Sequence, residues 1–250
     1  LEPGNAQARE ISGDLYDREG LLNRAVGEWE EAARAGGPRS LAGKIERGRR
    51  EMAAEEGMGR ESGRYFVVLY DRDVPQGVVK DLFGPLDEAF NVLHDRLGEY
   101  PRDEITVILY SRVAFRDVTR MPDWAGGAYD GKIRIPIGGL ATVGDAVGLL
   151  GILVHEMAHA FLHRMAPEGL PRWFHEGLAT SFEGWDPAAV RAWLVDHPPE
   201  GISRLADVDR GLVGRGASVD AAYAAARLAV AEMEELRGIG AVRRVIAGVG

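Results

Sequence analysis

Over residues 1 to about 60, apolar positions recur at helical spacing in a charge-rich chain. Ala8–Tyr16 and Leu21–Ala35 predict two helices separated by the turn Arg18-Glu19-Gly20, and a third is predicted from about Ser40 to Ala54. Their apolar stripe (Leu15, Leu22, Val26, Trp29, Leu41, Ile45) has to be buried somewhere. Gly57–Gly63 is rich in Gly and polar residues and reads as a linker, so the chain is expected to divide into segments 1–60 and 64–250. From Arg64 the pattern changes. Residues 65–70 and 105–110 are β-branched and aromatic runs that predict strands. A third strand is expected at 133–137, placed at a sheet edge because Pro136 has no N–H to donate. Between the first two, Val78, Val79, Leu82, Phe83, Leu86, Phe90, Leu93 and Leu97 follow a helical period that Pro85 is expected to kink or split. From about residue 146 onward the chain reads as helices: 146–165, 172–184, 187–196, 218–237 and a short one near 240–248. The expected fold class is α+β, with helices first, then a small mixed sheet and then a helical part.

Inside the apolar helical segment 146–165 stands His155-Glu156-Met157-Ala158-His159. Residues four apart leave nearly the same face of a helix, so both imidazoles can reach one zinc ion. Glu156 projects beside them, within reach of a water to be deprotonated. From the chain's own composition, about 0.01 chance matches to this pattern are expected. A catalytic zinc needs a third protein ligand and an open fourth position. A third His six residues after His159 is lacking, because Met165 stands there. The alternative is a Glu on the next helix, and Glu176 lies on one helical face with Trp173 and Thr180. A carboxylate against that apolar wall is costly unless it is paired or binds a metal. The neighbouring His175 is the competing ligand.

The pair of segments, His155-Glu156-x-x-His159 and Trp173-Phe174-His175-Glu176-Gly177-Leu178-Ala179, resembles the gluzincin zinc metallopeptidases, in particular bacterial peptidase MA-like domains. The resemblance covers residues 64–250 and implies a two-lobed zincin-like fold and Zn2+ as cofactor. It implies His155, His159 and Glu176 as metal ligands and Glu156 as the catalytic base for peptide hydrolysis. It also suggests a catalytic Tyr223 whose hydroxyl stabilises the oxyanion. The bland reading of Tyr223 is core packing, since it opens the apolar face Val219, Ala222, Tyr223, Ala226, Val230, Met233. One departure stands out: relatives often carry a carboxylate four residues after the ligand Glu to orient a histidine, and this chain has Thr180 there. Upstream, Gly13, Tyr16, Gly20, Ala25, Trp29 and Ala32 resemble one tetratricopeptide repeat, with Pro38 one residue late. One repeat cannot bury its own face, so either more repeats precede it or it docks on the catalytic domain.

Composition narrows the remaining choices. Acidic residues outnumber basic ones 39 to 30, a formal charge of −9, which disfavours nucleic-acid backbone as a partner. With no cysteine, disulfides, thiolate-ligated metals and a cysteine nucleophile are all excluded. The longest apolar stretch is interrupted by His155 and Glu156, so no membrane span is expected. The chain begins Leu-Glu-Pro-Gly without a Met and reads as a soluble mature or excised segment, compatible with a bacterial extracytoplasmic location that it cannot itself specify. The expected partner is a peptide or protein substrate, held by strand addition to 133–137. A protein partner on the N-terminal helices is a further expectation. The rival function is an interaction module with an inactive or structurally zinc-bound domain, and hydrolysis of a non-peptide amide is a third. His163 continues the His155/His159 face as a rim or supporting residue. Trp124 and Tyr129 are read either as a cleft rim or as loop packing, and His94 and His197 as surface histidines.

Overall fold

The computed structural model describes residues 5–18, 20–98, 101, 104–120, 127–137, 148–166, 169–213 and 217–248. Among them are eleven helices and one mixed five-stranded sheet, an α+β fold. The chain forms two compact units, Leu1–Phe83 with Asp103–Ala146, and Gly84–Arg102 with Val147–Gly250.

The first unit opens with α1 (Ala6–Arg18), α2 (Leu22–Arg34) and α3 (Leu41–Glu55). Their stripes meet around Trp29, which is fully buried with Ala25, Val26, Ala32 and Leu41 and touched by Tyr16, Ile45 and Met52. Gly13 is needed for this packing, since a Cβ there would lie 2.5 Å from the Trp29 ring. The Trp29 indole N–H is satisfied by Asp14 Oδ1 at 3.0 Å. Next come β1 (Gly59–Ser62), β2 (Phe66–Tyr70) and α4 (Gln76–Leu97), which carries Pro85 inside it without being split. The boundary between the two units falls in α4, between Phe83 and Gly84. Then follow β3 (Ile105–Tyr110), α5 (Arg112–Thr119), β4 (Ala128–Tyr129) and β5 (Ile133–Pro136).

The sheet order is β1-β2-β3-β5-β4. β2, β3 and β5 are parallel, and the two outer strands run antiparallel to their neighbours. Two expectations change here. The Gly57–Gly63 segment is not a linker: it carries β1, paired along its length with Val67–Tyr70. Nor is 133–137 an edge strand, since β5 lies between β3 and β4. β4 pairs only with Ile133 and Arg134, so Pro136, two residues on, is not asked for a hydrogen bond to it. The expected addition of a substrate strand to 133–137 would therefore meet β4 already in place at Ile133 and Arg134.

One face of the sheet packs Ile108 and Tyr110 against Phe115 and Val118 of α5, with Ala54 of α3 and Met58, just before β1, beside them. Charges are buried on the same side. Glu51 Oε1 accepts from Lys132 Nζ at 2.7 Å and from Arg134 Nη2 at 2.6 Å. Arg134 also donates to the Tyr110 hydroxyl at 2.8 Å and to Asp130 at 3.0 Å. Glu51, Lys132 and Arg134 are at most 3% exposed. Burial opposes the Glu51 charge, but Arg134 and Lys132 outweigh it and hold its carboxyl down at about 2. Burial and the adjacent Glu51 charge push Glu55 up to about 7.

The second unit holds the C-terminal half of α4 with α6 (Leu149–Met165), α7 (Arg172–Phe182), α8 (Pro187–Asp196), α9 (Leu205–Gly211), α10 (Ala217–Arg237) and α11 (Ile239–Ile246). Phe90 of α4 meets Phe161 of α6 edge to face at 5.2 Å. The end of α4 is tied down by Arg243, which donates to the Arg96 carbonyl at 2.7 Å, while Arg96 pairs with Glu234 at 2.5 Å. Asp186 caps α8 through the N–H groups of Ala188 and Ala189, with Pro187 in its first turn. Among the described residues no helix is long and apolar enough to cross a membrane.

The buried ion network ties α3 to the sheet within the first unit. Glu51→Ala removes the carboxylate shared by two buried cations and leaves Lys132 with Glu55 and Arg134 with Asp130; breaking a buried pair costs about 3–5 kcal/mol, and urea titration should show a loss of up to that size. The 64–250 fragment lacks both Glu51 and Glu55 and should be molten or insoluble, where an independent domain would stay folded. The Glu51 carboxyl is lowered from an ordinary 4.5 to about 2. Its contribution is therefore complete above about pH 4.5 and lost as the pH falls through about 2. Glu51→Gln should flatten that part of the stability–pH curve.

Candidate metal centre

α6 is buried over most of its surface, with Leu149, Leu153, Val154, Met157, Ala158, Ala160, Phe161 and Leu162 inside. His155 and His159 leave its remaining face together. α7 brings Glu176 to them. Its N-terminus has no capping side chain at Pro171, and Asp209 of α9 supplies one instead, accepting from the Trp173 N–H at 2.6 Å. On the other side α7 lies so close to α10 that a Cβ on Gly177 would sit 2.3 Å from the Ala226 carbonyl oxygen.

These supports bring three donor atoms into a small triangle. His155 Nε2 and His159 Nε2 are 3.2 Å apart, and Glu176 Oε2 is 3.4 Å from the first and 3.5 Å from the second. Bonds of about 2.0–2.1 Å at a tetrahedral angle separate neighbouring ligands by about 3.3–3.4 Å. The triangle matches that spacing on all three edges. Glu176 Oε2 is also buried and makes no hydrogen bond of its own. A buried carboxylate oxygen aimed at two imidazole nitrogens and left without a donor is what a cation would satisfy. Two imidazoles, each able to give up an Nε2 proton in favour of a metal, and a carboxylate are a donor set suited to zinc. Among the described residues no other group of His, Asp or Glu is placed to hold a metal.

The electrostatics follow from this crowding. Burial opposes charge on Glu176, but the two imidazoles outweigh it and hold its carboxyl well below the usual range. Burial disfavours protonated His155, yet its contacts to Glu176 and Glu183 prevail and raise it to about 10. Glu156 is 8% exposed, and burial pushes its carboxyl up, partly offset by His155 and His159. Burial, followed by the nearby His159 and His163, lowers His175 to about 4 and keeps it neutral.

His175 stacks on His159 at 5.7 Å and meets His163 at 5.1 Å, so it flanks the donor triangle without belonging to it. His163 is exposed at the outer end of that row. The Tyr223 ring is half-buried against Val208, Leu212, Ala222 and Ala226. Burial, followed by the charges of Glu176 and Glu156, raises its phenol. The ring thus takes the packing role expected for it. Trp124 lies outside the described residues. His197 stacks under Trp193 at 4.3 Å.

Sequence reasoning missed Glu183. Its Oε1 contacts His155 Nδ1, the nitrogen turned away from the triangle. Thr180 instead turns its hydroxyl back onto the helix, donating toward the Glu176 carbonyl at 2.9 Å and the Gly177 carbonyl at 3.1 Å. The spacing carries the signal: Glu183 lies seven residues after Glu176, two turns along the same face. No protein-family model and no curated protein matches the chain.

The α7–α10 contact can be tested separately. In an open helix Gly→Ala gains up to about 1 kcal/mol, but here the methyl meets a backbone carbonyl at 2.3 Å. Overpacking of this kind costs about 1–3 kcal/mol. Gly177→Ala should lower the melting temperature and weaken metal uptake; a melting temperature at or above wild type would refute the account.

Proposed function

We propose that this chain is a zinc-dependent peptidase of the gluzincin kind, with His155, His159 and Glu176 as ligands and Glu156 as general base. The observation that carries the reading is the donor triangle, with edges of 3.2, 3.4 and 3.5 Å, and a buried carboxylate one residue from its first corner. In the same reading the sheet and the helices of the second unit correspond to the two lobes of a zincin-like domain.

When bound, zinc would polarise the scissile carbonyl and lower the pKa of a water molecule. His155, His159 and Glu176 would hold the ion, and catalysis requires that a further position be open to water. Glu156 accepts a proton from the attacking water and delivers it to the leaving amine nitrogen. Burial raises its carboxyl above the ordinary range, partly offset by His155 and His159, and the role asks it to take up a proton and then give it back. Tyr223 donates its hydroxyl to the carbonyl oxygen as negative charge develops there. Such a donor acts more strongly on the transition state than on the bound substrate. The raised phenol keeps its proton for that role.

Metal analysis should find about one zinc per chain, and a strong chelator should abolish cleavage of a fluorogenic peptide library. Glu156→Gln should retain zinc and lose about 10²–10⁴-fold in kcat. His159→Ala should lose zinc and activity together. A metal-free wild type after growth with added zinc, or a Glu156→Gln enzyme of near-normal turnover, would overturn the proposal. Tyr223→Phe should lower kcat about 10²–10³-fold with zinc content and melting temperature nearly unaltered. Full activity in that variant would return Tyr223 to core packing alone.

A further inference from the structure

We infer that Glu183 is the positioning residue of the metal centre, and that Gly184, Trp185 and Arg227 form the clamp that holds it. The inference rests on the zinc reading and adds a role for residues outside the donor triangle. His155 offers Nε2 to the triangle, so its ring is correctly oriented only if Nδ1 is held from behind. The Glu183 carboxylate occupies that place. A carboxylate there keeps the proton on Nδ1, leaves the Nε2 lone pair free for the metal and increases its basicity. Thr180 cannot do this, because its hydroxyl is engaged with the helix backbone.

Glu183 is the C-cap of α7, and the chain beyond it turns in a Schellman motif. Gly184 takes φ +86°, its N–H donates to the Ser181 carbonyl at 3.3 Å, and the Trp185 N–H donates to the Thr180 carbonyl at 3.4 Å. The reversal swings the Trp185 indole back over the helix end. Its Nε1–H donates to Glu183 Oε2 at 3.1 Å. Each oxygen of Glu183 thus has one partner, the imidazole on one side and the indole on the other. The turn is anchored from α10, where Arg227, 6% exposed, donates from Nε to the Trp185 carbonyl at 3.0 Å. A side chain at the fraying end of a helix would otherwise sample several rotamers, and these contacts select one.

The test measures zinc affinity of the full chain by competition with a chromophoric chelator. It compares wild type with Glu183→Ala, Glu183→Gln, Trp185→Phe and Thr180→Ala. Glu183→Ala should weaken zinc binding about 10–100-fold. Glu183→Gln keeps an acceptor without the charge and should recover part of that loss. Trp185→Phe removes only the indole N–H and should weaken binding by a smaller factor, while Thr180→Ala should bind like wild type. The absorption of the cobalt-substituted protein should shift in the Glu183 variants, and metal-free melting temperatures identify any variant that fails to fold. Zinc affinity unchanged in both Glu183→Ala and Trp185→Phe would overturn the inference and leave the zinc reading standing. A wild type without zinc affinity would sink both.

Discussion

The second unit holds three donor atoms within 3.5 Å of one another, and if they ligate zinc as proposed, errors of only about 0.2 Å in ligand distance are tolerated. Two of the three donors come from consecutive turns of one helix, where their separation is set by backbone geometry. The third must be delivered by a different helix, and nothing in α7 alone determines how far it stands from α6. That distance is set by what surrounds α7. Gly177 lets it approach the backbone of α10, Asp209 fixes its first turn, and the turn at Gly184 fixes its last. Each contact is ordinary packing or capping, and together they hold one carboxylate oxygen 3.4 and 3.5 Å from the two imidazole nitrogens.

The first unit solves a different problem by a costlier route. Lys132 and Arg134 sit almost without solvent, where an isolated charge is strongly disfavoured. They are tolerable because α3 supplies Glu51, with Glu55, Asp130 and Tyr110 around it. Buried ion pairs are weak contributors to net stability compared with apolar packing, but they are unforgiving of a missing partner. Their consequence here is register. α3 can lie on the sheet only where its carboxylates meet those cations, so the helices fold with the sheet rather than beside it.

Much of this was legible in the sequence, and the failures have physical causes. The long helices announced themselves because their buried faces repeat at 3.6 residues, as in α2 around Trp29 and α10 around Ala222 and Ala226. α5 and α9 span eight and seven residues, too few for a period to show. β1 was hidden by its glycine and polar residues, since its order comes from pairing with β2 and not from its own side chains. Pro136 suggested an edge because it lacks a donor, but the neighbouring strand simply stops short of it. The donor residues were legible because His155, Glu156 and His159 form one local motif and Glu176 falls in a second. Glu183 was not, because a search four residues on finds Thr180, and the group that reaches His155 is another turn away.

The stretch from Glu176 to Trp185 also behaves as a ruler. Each residue added to a helix turns everything after it by about 100°. One extra residue between Glu176 and Glu183 would point the second carboxylate away from His155 and carry the Gly184 turn off its anchor at Arg227. A deletion would do the same in the opposite sense. Chemical variety can therefore be absorbed in this stretch more easily than any change of length. Variation in length belongs elsewhere, in the connections that carry no donor and close no turn on one.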